Sequence, residues 1–120
     1  MKHLNHIDKS RFLNEIYNYE SSPEKFTYIG KIPSMVVFAS PHNKFCVELE
    51  PALEIIAKRR KDRYKVYYVN TAEEPEMARN FIKQRVPVIY ICPIGTAPTV
   101  VSETINVRDL FSLADRLLAK

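Results

Sequence analysis

The sequence predicts a mixed α/β fold in which helices cover both faces of one central sheet. Helix-like and strand-like segments alternate along the chain, with short turns between them, which is typical of this class. Two late strand-like segments follow one another without a helix between them, so one edge of the sheet should be antiparallel. The chain has 120 residues, of which 46% are apolar and 27% charged, as expected of one globular domain.

The first half of the chain predicts a helix, a buried strand and a second helix. Asp8 to Tyr19 carries apolar residues at helical spacing and begins with a residue type that caps helices. Ser34 to Ala39 is a short continuous apolar run, typical of a strand buried on both faces. The second helix should extend from about Asn43 to Lys61, with a kink at Pro51, because proline lacks the N–H that the helix needs.

The second half predicts three further strands and two helices. Tyr64 to Val69 is rich in aromatic and β-branched residues and predicts a strand, after which a helix should open at Glu74. Pro87 to Cys92 predicts the next strand, Thr99 to Ser102 its hairpin partner, and Asn106 the cap of a final helix. The predicted inward-facing residues of the four helices are Phe12, Leu13, Ile16, Tyr19, Leu49, Leu53, Ile56, Met77, Phe81, Ile82, Leu110, Leu113 and Leu117.

Composition narrows the classes of site and partner. Cys46 and Cys92 are too few for a disulfide scaffold or a structural zinc site, so we expect no metal and no cofactor. The net charge of +4 is modest, and the run Lys58-Arg59-Arg60-Lys61 is interpreted as the solvated end of a helix rather than a nucleic-acid patch. No apolar stretch approaches the roughly 20 residues that cross a bilayer, and the first residues lack a signal-like region. We therefore expect no membrane partner and a cytoplasmic location.

Residues 38–51 resemble the active-site region of the thioredoxin family. In that family a buried strand ends in Phe, a Trp-Cys-x-x-Cys motif opens the next helix, and a proline lies five residues after the second cysteine. The segment Phe38-Ala39-Ser40-Pro41-His42-Asn43-Lys44-Phe45-Cys46 ends in a cysteine that Pro51 follows by that interval. Val86-Pro87-Val88-Ile89-Tyr90-Ile91 resembles the family's cis-proline and the strand after it.

The resemblance implies a thioredoxin fold over a single domain, residues 1–120. Residues 34–120 would form the thioredoxin core, since the order of elements agrees over that range. Residues 1–33 would form an N-terminal helix and an insertion, which resemble a bacterial subgroup of the family more loosely.

Most of the residue types that thioredoxins use for dithiol chemistry are absent. Thiol exchange needs an exposed thiolate as attacker and a second thiol that resolves the mixed disulfide. The attacking position is Asn43, which cannot attack a disulfide but can cap the helix by accepting a hydrogen bond from its first turn. The family's buried Asp corresponds to Val37, the Lys that faces it to Tyr68, and the Trp before the motif to His42. Classical dithiol oxidoreductase activity is therefore not expected.

Cys46 remains in the resolving position, and two interpretations stay open. It could form mixed disulfides with glutathione or a protein thiol, because it lies in the first turn of a helix and protonated His42 would stabilise a thiolate. The favoured interpretation is a buried structural cysteine behind Asn43, since free cysteine is among the most buried residue types. Pairing with Cys92 is not expected, because that residue lies about 16 Å along its strand from Pro87.

The resemblance implies a peptide-binding groove beside Pro87. In thioredoxins the residue before the cis-proline offers its backbone to an extended partner, and here that residue is Val86. The loop His42-Asn43-Lys44-Phe45 would form the other wall, with Phe45 as an aromatic contact surface. Alternatively, Pro87 only shapes the start of its strand and Phe45 packs locally. The predicted function is a polypeptide-binding module, with monothiol exchange through Cys46 as the alternative.

Overall fold

The chain forms a five-stranded mixed sheet in a computed structural model that describes residues 3–82, 85–101 and 105–119. The spatial order is β1-β3-β2-β4-β5, with β1 and β2 parallel to β3, β4 antiparallel to β2, and β5 antiparallel to β4. The predicted mixed sheet with a late antiparallel edge is confirmed. The strands are β1 (Asn5–His6), β2 (Ser34–Ala39), β3 (Lys65–Asn70), β4 (Val88–Cys92) and β5 (Thr99–Val101). Ser102, the predicted end of the last strand, lies outside the described residues.

Helices cover both faces of the sheet, as the alternating pattern predicts. Two buried clusters form, and the sheet separates them: the helices α2 and α4 contribute to one, and α1 and α3 to the other. The second helix ends two residues before the predicted Lys61. The helices of the described part are α1 (Lys9–Glu15), α2 (Lys44–Arg59), α3 (Pro75–Phe81) and α4 (Val107–Leu118).

Strand β2 lies at the centre of the sheet, and all six of its residues are buried. Met35 and Val37 belong to the cluster under α2 and α4, whereas Val36 and Phe38 belong to the cluster under α1 and α3. Successive side chains of a strand point to opposite faces, so an uninterrupted apolar run supplies both cores at once. The predicted burial of this strand on both faces is confirmed.

The prediction that α1 extends to Tyr19 is wrong, because the helix ends at Glu15. Its start is as expected, since the Asp8 side chain accepts a hydrogen bond from the first turn. After the helix, the Asn18 side chain accepts from the backbone N–H groups two and three residues later, both at 3.1 Å. Such local bonds compete with helical ones and favour a turn over a further helical turn.

The buried face of α4 is rotated from the predicted one. Leu110 is buried as expected, but Ala114 and Leu118 complete the buried row, whereas Leu113 and Leu117 are only half-buried beside it. Residues four apart lie on one stripe of a helix, and the leucines at 113 and 117 flank that stripe. Three more predicted core residues are half-buried: Leu13, Tyr19 and Ile82.

Strand β1 was not predicted from the sequence. It pairs with Tyr67 and Tyr68 of β3, and the carboxylate of Glu54 on α2 fixes the residues before it. Glu54 accepts from the backbone N–H of His3 at 2.9 Å and from that of Leu4 at 2.8 Å. A two-residue strand has no periodic pattern of its own, so its position depends on these distant contacts.

Candidate functional site

The start of α2 is capped by Asn43, the residue predicted to stand in place of an attacking cysteine. The Oδ1 atom of Asn43 accepts from the backbone N–H of Cys46 at 3.0 Å, as the sequence predicts for a cap. The preceding turn is closed by Ser40, whose carbonyl accepts from the N–H of Asn43 and whose hydroxyl accepts from that of His42. Asn43 thus stabilises the local backbone through its amide oxygen, without any thiol.

Cys46 is buried completely, with none of its surface exposed, in the cluster under α2 and α4. Burial raises the pKa of its thiol above the ordinary value, and a backbone hydrogen bond from Ser40 opposes that effect only in part. His42 is exposed, and no described hydrogen bond or ion pair joins its ring to the thiol. The neutral thiol is therefore the favoured form, which supports the structural interpretation of Cys46 over monothiol exchange.

The two core positions predicted to replace a buried Asp and Lys offer no base beside this thiol. Val37 and Tyr68 are direct neighbours in the β2–β3 ladder, and both are buried. Burial, with a smaller contribution from the Glu50 carboxylate, raises the pKa of Tyr68 to about 12. The phenol therefore remains neutral at physiological pH.

Cys46 and Cys92 are both free and lie far apart in the fold. They belong to clusters on opposite faces of the sheet, and Cys92 pairs with Ser34, at the end of β2 remote from α2's first turn. Burial raises the pKa of Cys92 to about 12. The expectation that the two cysteines do not pair is confirmed.

Pro87 lies directly before β4, next to the end of β2 that leads into the capped turn. The antiparallel register joins Phe38 to Val88, so the residues before β4 lie beside those after β2. The Val86–Pro87 peptide bond is cis, as the resemblance implies. Pro87 is buried and Val86 is half-buried.

The backbone of Val86 is available for pairing. Within the described ranges, neither its N–H nor its C=O forms a hydrogen bond. The β2–β4 ladder begins two residues later, at Val88, so none of the strands that the structure describes reaches Val86. Main-chain groups are strong donors and acceptors, and an unpaired pair at a strand start can accept an added strand.

Four of the remaining predicted site residues divide into two pairs. Phe45 and Val86 are half-buried and pack against the same cluster that contains Cys46, so the structure brings them onto one core. His42 and Lys44 are exposed, and no described side-chain contact joins either of them to Val86. Phe45 and Val86 are therefore supported by the core, whereas His42 and Lys44 are exposed to solvent.

One residue of the basic run at the end of α2, Arg60, contacts another helix. The Arg60 guanidinium donates two hydrogen bonds of 2.8 Å to Asp115 on α4 and lies 4.8 Å from the ring centre of Phe111. The neighbouring Lys58 and Arg59 are exposed in the last turn of α2, where cations are favoured. One of the four cations therefore fastens α2 to α4.

Among the described residues, no three side chains of the metal-binding types converge on one point. The helices within the same ranges are too short or too polar to cross a membrane. Residues 28–32 line an open depression and were not predicted as site residues. The sequence feature that could have indicated a surface site there is the pair of isoleucines, Ile29 and Ile32, on either side of a glycine and a lysine; both are exposed.

A comparison with protein-family models finds no match for this chain, and a comparison with curated proteins finds none either.

Proposed function

We propose that this protein is a thioredoxin-like binding module that takes up an extended polypeptide beside Pro87. The observation that carries the proposal is the unpaired backbone of Val86, at the start of β4 and next to the capped turn of α2. An extended segment could pair with that N–H and C=O as a short added strand. The cis peptide at Pro87 and the proline inside α2 support the thioredoxin-like part of the proposal.

Side-chain contacts would come from Phe45 and Val86. Both are partly exposed and rest on the buried cluster, so they offer apolar surface that is already ordered. Ordered apolar surface binds at a low cost in conformational entropy. The proposed partner therefore presents an apolar side chain to these two residues and its main chain to Val86.

Chemistry at Cys46 has no part in this function. The thiol is fully buried, and burial raises its pKa, so it is neither accessible nor ionised in the folded chain. The thiol fills space behind Asn43 in the way that a small apolar side chain would.

The test begins with peptides selected from a random display library on the immobilised protein. Their affinity is measured by fluorescence anisotropy for the wild type and for Phe45→Ser and Val86→Ser. We expect each variant to bind about tenfold more weakly, as is common for apolar contacts at the centre of an interface. Ile94→Ser is the matched control, because Ile94 is 51% exposed in the turn after β4, at the other end of that strand.

Amide hydrogen exchange reports on the backbone contact directly. The Val86 amide should become protected when the peptide binds, while the Gly95 amide in the distant turn should not change. Cys46→Ala should retain the affinity of the wild type. Wild-type affinity in the Phe45→Ser and Val86→Ser variants, or an unprotected Val86 amide in the complex, would show that the peptide binds elsewhere. Loss of binding in folded Cys46→Ala would restore a role for the thiol.

A further inference from the structure

An open depression of about 350 Å³ lies at the end of the sheet remote from Pro87. It is bounded by the last turn of α1, residues 28–32 and the first residues of β3. Lys65, which lines it, pairs with Ser34, the first residue of β2, whereas Pro87 lies beyond the last residue of that strand. The depression is therefore separate from the proposed peptide-binding site.

The loop that forms one wall is fixed by its own contacts. The N–H of Ile29 donates to the carbonyl of Ile16 at 2.8 Å, and the Tyr28 hydroxyl donates to the carbonyl of Ile32. The Tyr28 ring occupies the space beside Gly30, where any Cβ would collide with it. A wall that is already ordered loses little conformational entropy when a ligand binds.

The wall carries exposed apolar surface. Ile29 is 47% exposed and Ile32 is 45% exposed, although most large apolar side chains of the described residues are buried. Tyr28 and Tyr67 contribute rings to the same lining. Exposed apolar side chains gathered at a concave surface of this size are characteristic of small-ligand sites.

The charge around the depression is unbalanced. Lys31 and Lys65 line it, both are exposed, and neither forms an ion pair with a described residue. The carboxylate in the lining, that of Glu15, is bound by Arg11 at 2.7 Å and accepts from the Tyr67 hydroxyl at 3.4 Å. Because Arg11 already balances Glu15, the two ammonium groups leave an excess of positive charge.

We infer that this depression binds a small organic acid, a molecule with a compact apolar body and one carboxylate. The apolar body would lie against Ile29 and Ile32, and the carboxylate would face Lys31 and Lys65. The volume suits a ligand of one ring or a short alkyl chain, near the lower limit for small-molecule pockets.

The probe for the test is 3-phenylpropanoate, titrated into ¹⁵N-labelled protein and followed by amide chemical shifts. We expect saturable shifts at residues 28–32 and 65–67, with a dissociation constant on the order of 1–5 mM for so small a ligand. The neutral amide 3-phenylpropanamide has the same apolar body and should bind at least about threefold more weakly. Raising the salt concentration should weaken binding of the acid but not of the amide.

Variants separate the two parts of the site. Lys31→Gln and Lys65→Gln should each weaken binding of the acid by about two- to fivefold, the usual range for one exposed ionic contact. Ile29→Ser with Ile32→Ser should weaken acid and amide alike. Lys58→Gln, an equivalent exposed change on α2, is the control and should leave both affinities unchanged.

Three results of the titrations would overturn the inference, and a fourth comes from the protein without added acid. The three are shifts that do not saturate, equal binding of acid and amide, and unchanged affinity in the double variant Lys31→Gln/Lys65→Gln. Circular dichroism and the thermal midpoint of each variant establish that it is folded. Shifts at residues 28–32 that depend on protein concentration without added acid would likewise overturn it, since they would assign the surface to a second copy of the chain.

Discussion

The two faces of the sheet differ in the types of residue that form their buried clusters. The face under α2 and α4 is mainly aliphatic and contains Cys46, whereas the face under α1 and α3 is much richer in aromatic residues and contains Cys92. The helices differ as well: α2 and α4 have 16 and 12 residues, while α1 and α3 have 7 each. A short helix brings few side chains to the core, so each of them must bury a large area.

Phe81 is an example of a residue in a short helix that buries a large area. It is one of two buried residues of α3, and its ring lies at the centre of the aromatic face. Aromatic side chains bury large areas and gain further stabilisation from tilted and edge-on contacts. Its ring centre lies within 6.2 Å of those of Phe12, Tyr17, Tyr19, Phe26, Phe38 and Tyr90.

Truncating one central residue on each face tests this contrast most strongly. Phe81→Ala should lower the free energy of unfolding by about 4 kcal/mol, and Leu53→Ala on the other face by about 3 kcal/mol. Urea denaturation gives both values, and near-ultraviolet circular dichroism should fall more in Phe81→Ala. A larger cost for Leu53→Ala would show that α1 and α3 add little to the stability of the fold.

The rate at which each buried cysteine reacts with iodoacetamide measures how readily its face of the sheet becomes exposed by unfolding. Both are fully buried, but Cys46 lies in the first turn of α2 and Cys92 lies within the sheet. Local opening of a helix end needs less free energy than global unfolding, so Cys46 should react with iodoacetamide faster and with weaker dependence on urea. Asn43→Ala removes the cap, so it should lower stability by about 1 kcal/mol and speed labelling of Cys46 about fivefold.

Each single-cysteine variant, Cys92→Ala or Cys46→Ala, isolates one labelling reaction. Identical rates and identical urea dependence for the two cysteines would mean that the faces open only together. An uncapped variant with unchanged labelling of Cys46 would show that the bond from Asn43 does not hold the first turn.

The smallest expected effect concerns the ion pair between the two long helices. The hydrogen bonds from Arg60, helped by Tyr64, hold the pKa of Asp115 below its usual range. Unfolding restores the ordinary pKa of about 3.9, so this pair stabilises the fold above that pH, and the contribution is lost as pH falls through the lower folded value. Asp115→Asn should therefore lose less stability than the wild type between pH 6 and pH 3.

Both residues of that pair are about one-third exposed, so its contribution is screened by solvent. Chemical denaturation at each pH in the same salt measures it. If the free energies of unfolding of the wild type and of Asp115→Asn change in parallel with pH, Asp115 does not contribute to the loss of stability in acid.

Features with a local cause could be predicted from the sequence. The apolar run of β2 needs no distant partner to be recognised, and Asn43 and Asn106 cap their helices as predicted, because a cap depends on a few adjacent residues. The α/β class and the free cysteines follow from pattern and composition in the same way.

Features that depend on distant contacts could not be predicted in this way. The position of β1 is set by β3 and Glu54, and the buried row of α4 is set by how that helix meets the sheet. The free backbone of Val86 follows from where the β2–β4 ladder begins, which no single-sequence pattern encodes. The depression beside residues 28–32 likewise exists only once α1 and β3 are placed around it.

The carboxylate of Glu54 that holds the N-terminal segment has a consequence for the order of folding. Its bond to the N–H of Leu4 joins residues 50 positions apart, and among the described strands β1 pairs with β3 alone. Closing so long a loop costs more entropy than the local contacts within α2 or between β4 and β5. Strand β1 is synthesised before β3 but cannot pair until Tyr67 and Tyr68 have been synthesised, so at this edge of the sheet the earlier strand is added after the later one.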